Sequence, residues 1–306
     1  LRKDFHSDPK TRAMGAGRDL YAVGKEGNEF PVEIALTPIP EGDETYVLAS
    51  IIDISERKEA EEALHRYAEE LERSNAELAS FASVASHDLQ EPLRKIRTMG
   101  ERLGAVCHEE LNEKGRDYLE RMIRAGDNMQ GLIRDLLSFS RVETKGQPFS
   151  EVDLENCFSE ALSMLELAIE ETEAVIKRDK LPRVIADEAQ MMQLFQNLIG
   201  NAIKFRREGE APSIRVRSRE SKLGEEEALE IRVKDNGIGF EEKYTERIFE
   251  IFQRLHGKNK FEGTGIGLAI CKKIVERHRG TIIATSVPGS GSEFVITIPT
   301  KQENQR

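Results

Sequence analysis

Leu78, Phe81, Ala85, Leu89, Leu93 and Ile96 recur at three- and four-residue steps, the period of an amphipathic helix. At roughly 100° per residue, the six fall within about 120° of the helix circumference. His87 lies on the far side, roughly 160° from their mean direction. A chain with this stretch must bury one face of a helix while presenting a histidine away from it. Asp88 follows directly and can accept a hydrogen bond from one ring nitrogen, leaving the other as a nucleophile. Pro92 removes one backbone donor inside the same helix.

The helical pattern reaches back to Glu56. Leu64, Tyr67, Leu71, Leu78, Phe81 and Ala85 keep a seven-residue repeat, in which Ser74 is the polar exception. A narrow stripe flanked by charge suits a two-stranded coiled coil; a solvated helix docked on its own chain is the alternative. The stripe runs unbroken into the His87 helix, which favours the coiled coil, a rod able to pass on rotation or register. That helix is expected to end near Gly104–His108. A second one, capped by Asn112, carries Leu119, Met122, Ile123, Met129, Leu132, Ile133, Leu136, Leu137 and Phe139 and ends around Val142. Two long helices joined by a short loop form a hairpin, and two such hairpins form a four-helix bundle, so a homodimer is expected. Lys145-Gly146-Gln147-Pro148 reads as a linker.

The 306 residues allow two to three domains. A net charge of −11 with 33% charged residues argues against nucleic acid as a partner, because phosphate binding needs a basic face. Cys107, Cys157 and Cys271 lack metal-ligand spacing and read as reduced, which points to the cytoplasm. No run of eighteen apolar residues is present, so no membrane contact is expected within this chain. No signal-peptide pattern stands out, and a first residue Leu rather than Met suits a fragment of a longer protein.

Before the helices, Leu20–Val23, Phe30–Leu36 and Tyr46–Ile52 are β-rich runs. Lys25-Glu26-Gly27-Asn28 and Pro40-Glu41-Gly42-Asp43 read as the turns between them. Alternation along Phe30–Leu36 predicts a sheet with one buried face. After the linker, short strands near Phe149–Val152, Ala174–Lys177 and Arg183–Ala186 surround a helix from about Leu154 to Glu170, capped by Asp153. A helix opened by Asp187 follows. Strands at Ser213–Ser218 and Leu229–Lys234 flank a charged hairpin loop, and a helix near Ile266–Arg279 precedes strands Thr281–Ser286 and Glu293–Ile298. This mix implies one sheet covered by helices on one face.

Three polar clusters lie in that last region. Asn197, Asn201 and Lys204 fall four and three residues apart on one helix, and carboxamide oxygens suit a hard cation such as Mg2+. Asp235-Asn236-Gly237-Ile238-Gly239 leaves a strand; its carboxylate can accept from an exocyclic amine, and its glycines admit close backbone approach. Gly263-Thr264-Gly265-Ile266-Gly267-Leu268 precedes a helix, which puts backbone N–H groups at a phosphate. No Walker-type phosphate loop is present.

Ser-His-Asp-Leu-Gln-Glu-Pro-Leu at residues 86–93 resembles the phosphoacceptor box of sensor histidine kinases, in the subgroup shared with phytochrome-like kinases. The three clusters in their order resemble the nucleotide boxes of the Bergerat-fold ATPases, with Ile248-Phe249-Glu250-Ile251-Phe252 similar to the box that pins the lid. The resemblance implies that ATP and Mg2+ bind here, with Asn201 the Mg2+ ligand and Asn197 and Lys204 beside the phosphates. It implies that Asp235 reads the adenine amino group, that Gly237 and Gly239 line the base, that Gly263, Gly265 and Gly267 hinge the lid over the triphosphate, and that Thr264 and Leu268 also belong to the ATP site. Arg254, His256, Lys258 and Lys260 would add positive charge to that lid. Residues 1–55 resemble the last strands of a PAS sensor domain through Met14–Gly17, Gly27–Ile34 and Asp53–Ser55; a sensing pocket and a small solvated sheet remain equal alternatives. The expected fold is therefore multidomain α+β: a partial PAS sheet at 1–55, a coiled-coil linker at 56–78, a dimerising helical hairpin at 79–145, an α/β-sandwich ATP-binding domain at 149–300 and a tail at 301–306. The implied activity is autophosphorylation of His87, assisted by Asp88, then transfer to an aspartate of a separate response regulator. A nucleotide-binding scaffold without turnover is the alternative, and its mark would be a broken box. Glu91 stands where relatives with phosphatase activity carry Thr or Asn, so kinase activity is expected to dominate.

Overall fold

The computed structural model describes residues 12–13, 20–42, 44–107, 109–144, 146–255, 261 and 263–301, with the side chains at 12–13, 41, 44–45, 72, 75–76, 78–83 and 87 outside that description. The chain divides into two units, Leu1–Glu77 and Leu78–Arg306.

In the first unit, β1 (Arg12–Ala13), β2 (Leu20–Val23) and β4 (Glu44–Asp53) all pair antiparallel with β3 (Glu29–Glu41). Two expectations are corrected here. Pro40, read as part of a turn, stands inside β3 opposite Thr45. Beyond Leu36, β4 is the partner of β3 among the described residues, and a strand with a free edge tolerates the missing proline donor. The single buried face is also not found: Val32 is buried at 3%, but Leu48, Ile51 and Ile52 of β4 are all more than half exposed. Alternation orders such a strand, yet burial needs a second layer. Met14–Gly17, which carry part of the PAS resemblance, lie outside the described residues. Helix α1 (Ser55–Val106) opens on Asp53, whose Oδ1 accepts from Ser55 Oγ at 2.6 Å and Ser55 N at 2.9 Å. Those bonds hold the Asp53 carboxyl below its ordinary range.

In the second unit, α1 gives way to α2 (Glu113–Thr144). Asn112 Oδ1 accepts from Gly115 N at 2.8 Å, the cap expected from sequence. Leu93, Leu119 and Leu137 are buried between the two helices. At Gly100 a β-carbon would come 2.9 Å from Ile123 Cγ1, so this glycine lets the helices close on each other.

The rest of the unit is an α/β layer pair. Strands β5 (Ser150–Asp153) and β7 (Arg183–Ala186) form a separate antiparallel pair. The main sheet runs in the order β10 (Thr281–Val287), β11 (Gly291–Pro299), β9 (Glu226–Asp235), β8 (Ser213–Leu223), β6 (Val175–Arg178), with only β6 and β8 parallel. Helices α3 (Leu154–Met164), α4 (Glu166–Thr172), α5 (Glu188–Lys204) and α6 (Gly267–Arg277) accompany it. Ile214 and Val216 point into the core, while Arg215 and Arg217, which alternate with them, face solvent. Phe158 of α3 meets Phe195 of α5 edge to face at 5.3 Å, and both are fully buried. Burial also pushes the thiols of Cys157 and Cys271 up to about 12, which keeps them protonated and inert.

Two boundaries differ from the sequence reading. The helix expected over 154–170 breaks at Leu165, whose N–H turns back to Leu162 O at 2.9 Å. The charged loop between β8 and β9 is ladder instead, with Leu223 paired to Glu226 around Gly224 at φ 64°. Charged residues suit an exposed two-stranded extension, and the glycine supplies the tight turn.

Asp187 ties this layer pair to the end of the hairpin. It is almost fully buried, and its Oδ1 caps α5 by accepting from Gln190 N at 3.2 Å. Its Oδ2 accepts from Gln147 N at 2.7 Å and from Arg277 Nη1 at 2.8 Å. Its own N–H donates to His278 Nε2 at 3.0 Å, while His278 Nδ1 lies 2.7 Å from Ile274 O and so carries the ring proton. Burial pushes the His278 pKa down, consistent with a neutral ring. Asp187→Ala is expected to lower stability by about 3 kcal/mol or more, since it removes a cap and leaves Arg277 without its buried partner. Urea unfolding of the variant against the parent measures this; a loss within a few tenths of a kcal/mol would refute the role.

Candidate functional site

Helix α5 presents its apolar residues, Met191, Leu194, Phe195, Leu198, Ile199, Ala202 and Ile203, to the core. By helical period Asn197, Asn201 and Lys204 then share another face, and all three line a cavity of about 290 Å³. Asn197 Nδ2 is buried without a hydrogen-bond partner among the described residues. It lies beside the Cys271 thiol, a weak acceptor that leaves a buried amide under-satisfied. Lys204 Nζ sits 4.5 Å above the ring of Phe205, which in turn tilts against Phe261 at 5.1 Å.

Asp235 ends β9 at the second wall of the cavity. Its Oδ1 accepts from both Gly237 N at 2.7 Å and Ser292 N at 3.1 Å, so Oδ2 is left for a ligand. Burial pushes the Asp235 pKa up, with the two backbone bonds acting against it. Gly239 takes φ 62° and comes so close to Val287 O that no side chain fits. Gly237 does not line the cavity; it packs under it against Phe205 O.

The third wall is the loop before α6. Gly263, Thr264, Gly265, Gly267 and Leu268 all line the cavity, with φ 138° at Gly263 and 77° at Gly265. A β-carbon at Gly265 would stand 2.8 Å from Gln253 O. Of the apolar residues expected to pin this segment, Ile248 and Phe249 are buried, but Phe252 is exposed with φ 64°. Arg254 lines the cavity and donates to Phe261 O at 2.7 Å. His256, Lys258 and Lys260 lie outside the described residues.

The cavity therefore gathers the glycine loop at a helix start, two carboxylates, three carboxamides, an ammonium and a guanidinium. That set fits a nucleotide: phosphates at the glycine loop, an exocyclic amine at Asp235 and a hard cation held by an Asn oxygen. Residues that sequence reasoning missed also line it, namely Asp135, Phe205, Phe240, Gln253, Phe261, Ser292 and Phe294. Ser292 had a local signal in the Gly289-Ser290-Gly291 turn before it; Asp135, on α2, had none.

His87 and Asp88 lie on α1, and Asp88 does not line this cavity. The His87 side chain is outside the described residues, and Asp88 is exposed. Because residue 92 is proline, no amide there can receive the Asp88 carbonyl. Glu91 pairs with Lys95 at 2.9 Å on the exposed face of the helix.

Two family models match the chain. Residues 186–302 match the histidine kinase-, DNA gyrase B- and HSP90-like ATPase, and residues 77–145 match the His Kinase A (phospho-acceptor) domain. Cyanobacterial phytochrome A of Nostoc sp. is 46% identical over 236 residues, covering 77% of this chain and 30% of that protein. Phytochrome-like protein Cph1 of Synechocystis sp. is 43% identical over 242 residues, covering 79% and 32%. The chain thus spans about a third of the length of these curated relatives. Among solved structures, full-length ShkA in complex with AMPPNP matches with a TM-score of 0.55 at 25% identity, over 74% of this chain and 47% of that one.

The raised pKa of Asp235 has a consequence for stability. A carboxyl whose folded pKa lies above its unfolded value destabilises the folded state once ionised, and this cost fades as pH falls through the folded pKa. Asp235→Asn is therefore expected to be at least as stable as the parent at pH 7, with the advantage shrinking as pH drops toward the ordinary aspartate value of 3.8. Thermal unfolding of both proteins across that range tests it; a variant less stable at pH 7 would contradict the assignment.

Proposed function

The chain belongs to the histidine kinase family, carrying its phosphoacceptor and ATPase domains at residues 77–145 and 186–302, and from that premise we propose that it phosphorylates itself on His87 at the expense of ATP. The observation that supports this most is the single cavity lined by Asn197, Asn201, Lys204, Asp235 and the Gly263–Gly267 loop, in the same chain as a helix-borne His-Asp pair. One imidazole nitrogen of His87 attacks the γ-phosphorus, the bond to the bridging oxygen breaks and ADP leaves. Asp88 orients the ring by accepting from its other nitrogen. Asn201 holds Mg2+, which when bound neutralises charge on the phosphates. Lys204 adds a positive charge at the same wall, and Asp235 Oδ2 accepts from the adenine amino group. The phosphoryl group then passes to an aspartate of a separate response regulator. Glu91, held by Lys95 and unable to donate to water, supports a kinase with little phosphatase activity towards that regulator.

We further propose that the protein acts as a homodimer through residues 56–142. Leu64, Tyr67 and Leu71 are 69%, 71% and 64% exposed, and Met99, Val106 and Tyr118 are equally open. A seven-residue stripe left this wet supports pairing with a second copy.

Three measurements test these readings. His87→Gln is expected to abolish acid-labile incorporation of radiolabelled γ-phosphate and leave nucleotide affinity essentially unchanged; label persisting on the variant would refute the acceptor. Asn201→Ala and Asp235→Ala are expected to weaken ATP binding by more than about tenfold, and full binding in either would refute the cavity as the nucleotide site. Light scattering is expected to give twice the chain mass at micromolar concentration, with Leu71→Glu shifting it toward monomer; a monomeric parent would refute the bundle.

A further inference from the structure

Asp135 lies outside every polar cluster marked in the sequence, yet it lines the cavity beside Asn201, Lys204 and the glycine loop. Its Oδ2 accepts from Thr264 Oγ1 at 2.6 Å, and Thr264 Oγ1 also receives Ile266 N at 3.3 Å. Gly131 stands one turn before Asp135 on the same helix. A β-carbon at Gly131 would already lie 3.6 Å from Thr264 Cγ2, so a longer side chain would push the loop away. The loop that precedes α6 has the make-up of an anion cradle, glycine-rich backbone at a helix start. The anion beside it here is a carboxylate of the chain itself.

We propose that Asp135 is a specificity-determining residue of the nucleotide site: its carboxylate holds the glycine loop against α2 and must withdraw before a triphosphate can engage that loop. The inference rests on the nucleotide reading above and deepens it. Two anionic groups brought together in one cavity repel each other at close range. The coupling is reciprocal: the docked helix weakens binding of the outer phosphates, and those phosphates loosen the helix. The base end, at Asp235, is not involved, so a nucleotide without outer phosphates should scarcely register the carboxylate. Other polar contacts of α2 with this domain, Gln193 Nε2 to Ser138 Oγ at 2.6 Å, Gln190 Nε2 to Val142 O at 2.7 Å and Lys273 to Glu143 at 3.3 Å, involve residues that do not line the cavity. They provide a control for simple undocking.

The test uses the full chain and compares dissociation constants for ATP and AMP, by displacement of a fluorescent ATP analogue, in the parent, D135A, D135N and S138A. ATP is expected to bind at least about fivefold tighter to D135A, with D135N sharing the gain because it lacks the charge. AMP binding and S138A should change little, and the gain should shrink at high salt. ATP binding that is unchanged or weaker in D135A overturns the inference, as does an equal gain for AMP or an equal gain in S138A. A parent protein that binds neither nucleotide overturns the nucleotide site itself, and the inference with it.

Discussion

Seven apolar side chains of α5, from Met191 to Ile203, are sealed into the core of the α/β layer pair. Burying each contributes about 1.5–3 kcal/mol, whereas a typical polar contact contributes about 1 kcal/mol. The core therefore decides how α5 is rotated about its axis. That rotation carries Asn197, Asn201 and Lys204 to one wall of a single cavity. The polar residues do not have to find one another, because the apolar face has already aligned them. Asp187 holds the start of the same helix through its cap and through Arg277, so both the rotation and the position of α5 are set outside the site.

The other walls come from backbone that approaches more closely than side chains allow. Gly239 against Val287 and Gly265 against Gln253 are such places, and both residues have positive φ. These contacts bring the end of β9 and the start of α6 to the ends of the asparagine face. The carboxylate of Asp235 is held there against the cost of burial, by two amides that both bind one of its oxygens. Strain and a disfavoured charge at one cavity are what a binding site accumulates at the expense of stability.

Helix α2 meets this layer pair along a seam of a different character. Val142 is buried in the core, and Gln190 donates to its carbonyl at 2.7 Å, so the C-terminal end of the helix is firmly held. Further back, Leu132 and Phe139 pack against the same core, and single polar pairs lie beside them: Ser138 with Gln193, Asp135 with Thr264. Such pairs are readily exchanged for water or for a ligand, whereas the buried end is not.

Helical period and cap residues were legible in the sequence: the α1–α2 hairpin, the caps Asn112, Asp153 and Asp187, and the shared face of Asn197 and Asn201 follow from local chemistry that acts within one or two turns. So do the glycine clusters, since a positive φ is a property of the residue itself. The β8–β9 hairpin was legible, but the length of its ladder and the break at Leu165 were not, because ladder partners and packing against other elements decided them. One face of the first sheet was expected to be buried from the alternation along Phe30–Leu36, but alternation tells which residues share a face, not whether anything covers it. Asp135 shows the limit most clearly. Nothing within several turns of it hints at a ligand, and it reaches the cavity only because α2 packs there with Gly131 turned toward Thr264. A residue's chemistry is local, but its neighbours across 129 positions of chain are chosen by the packing of whole elements.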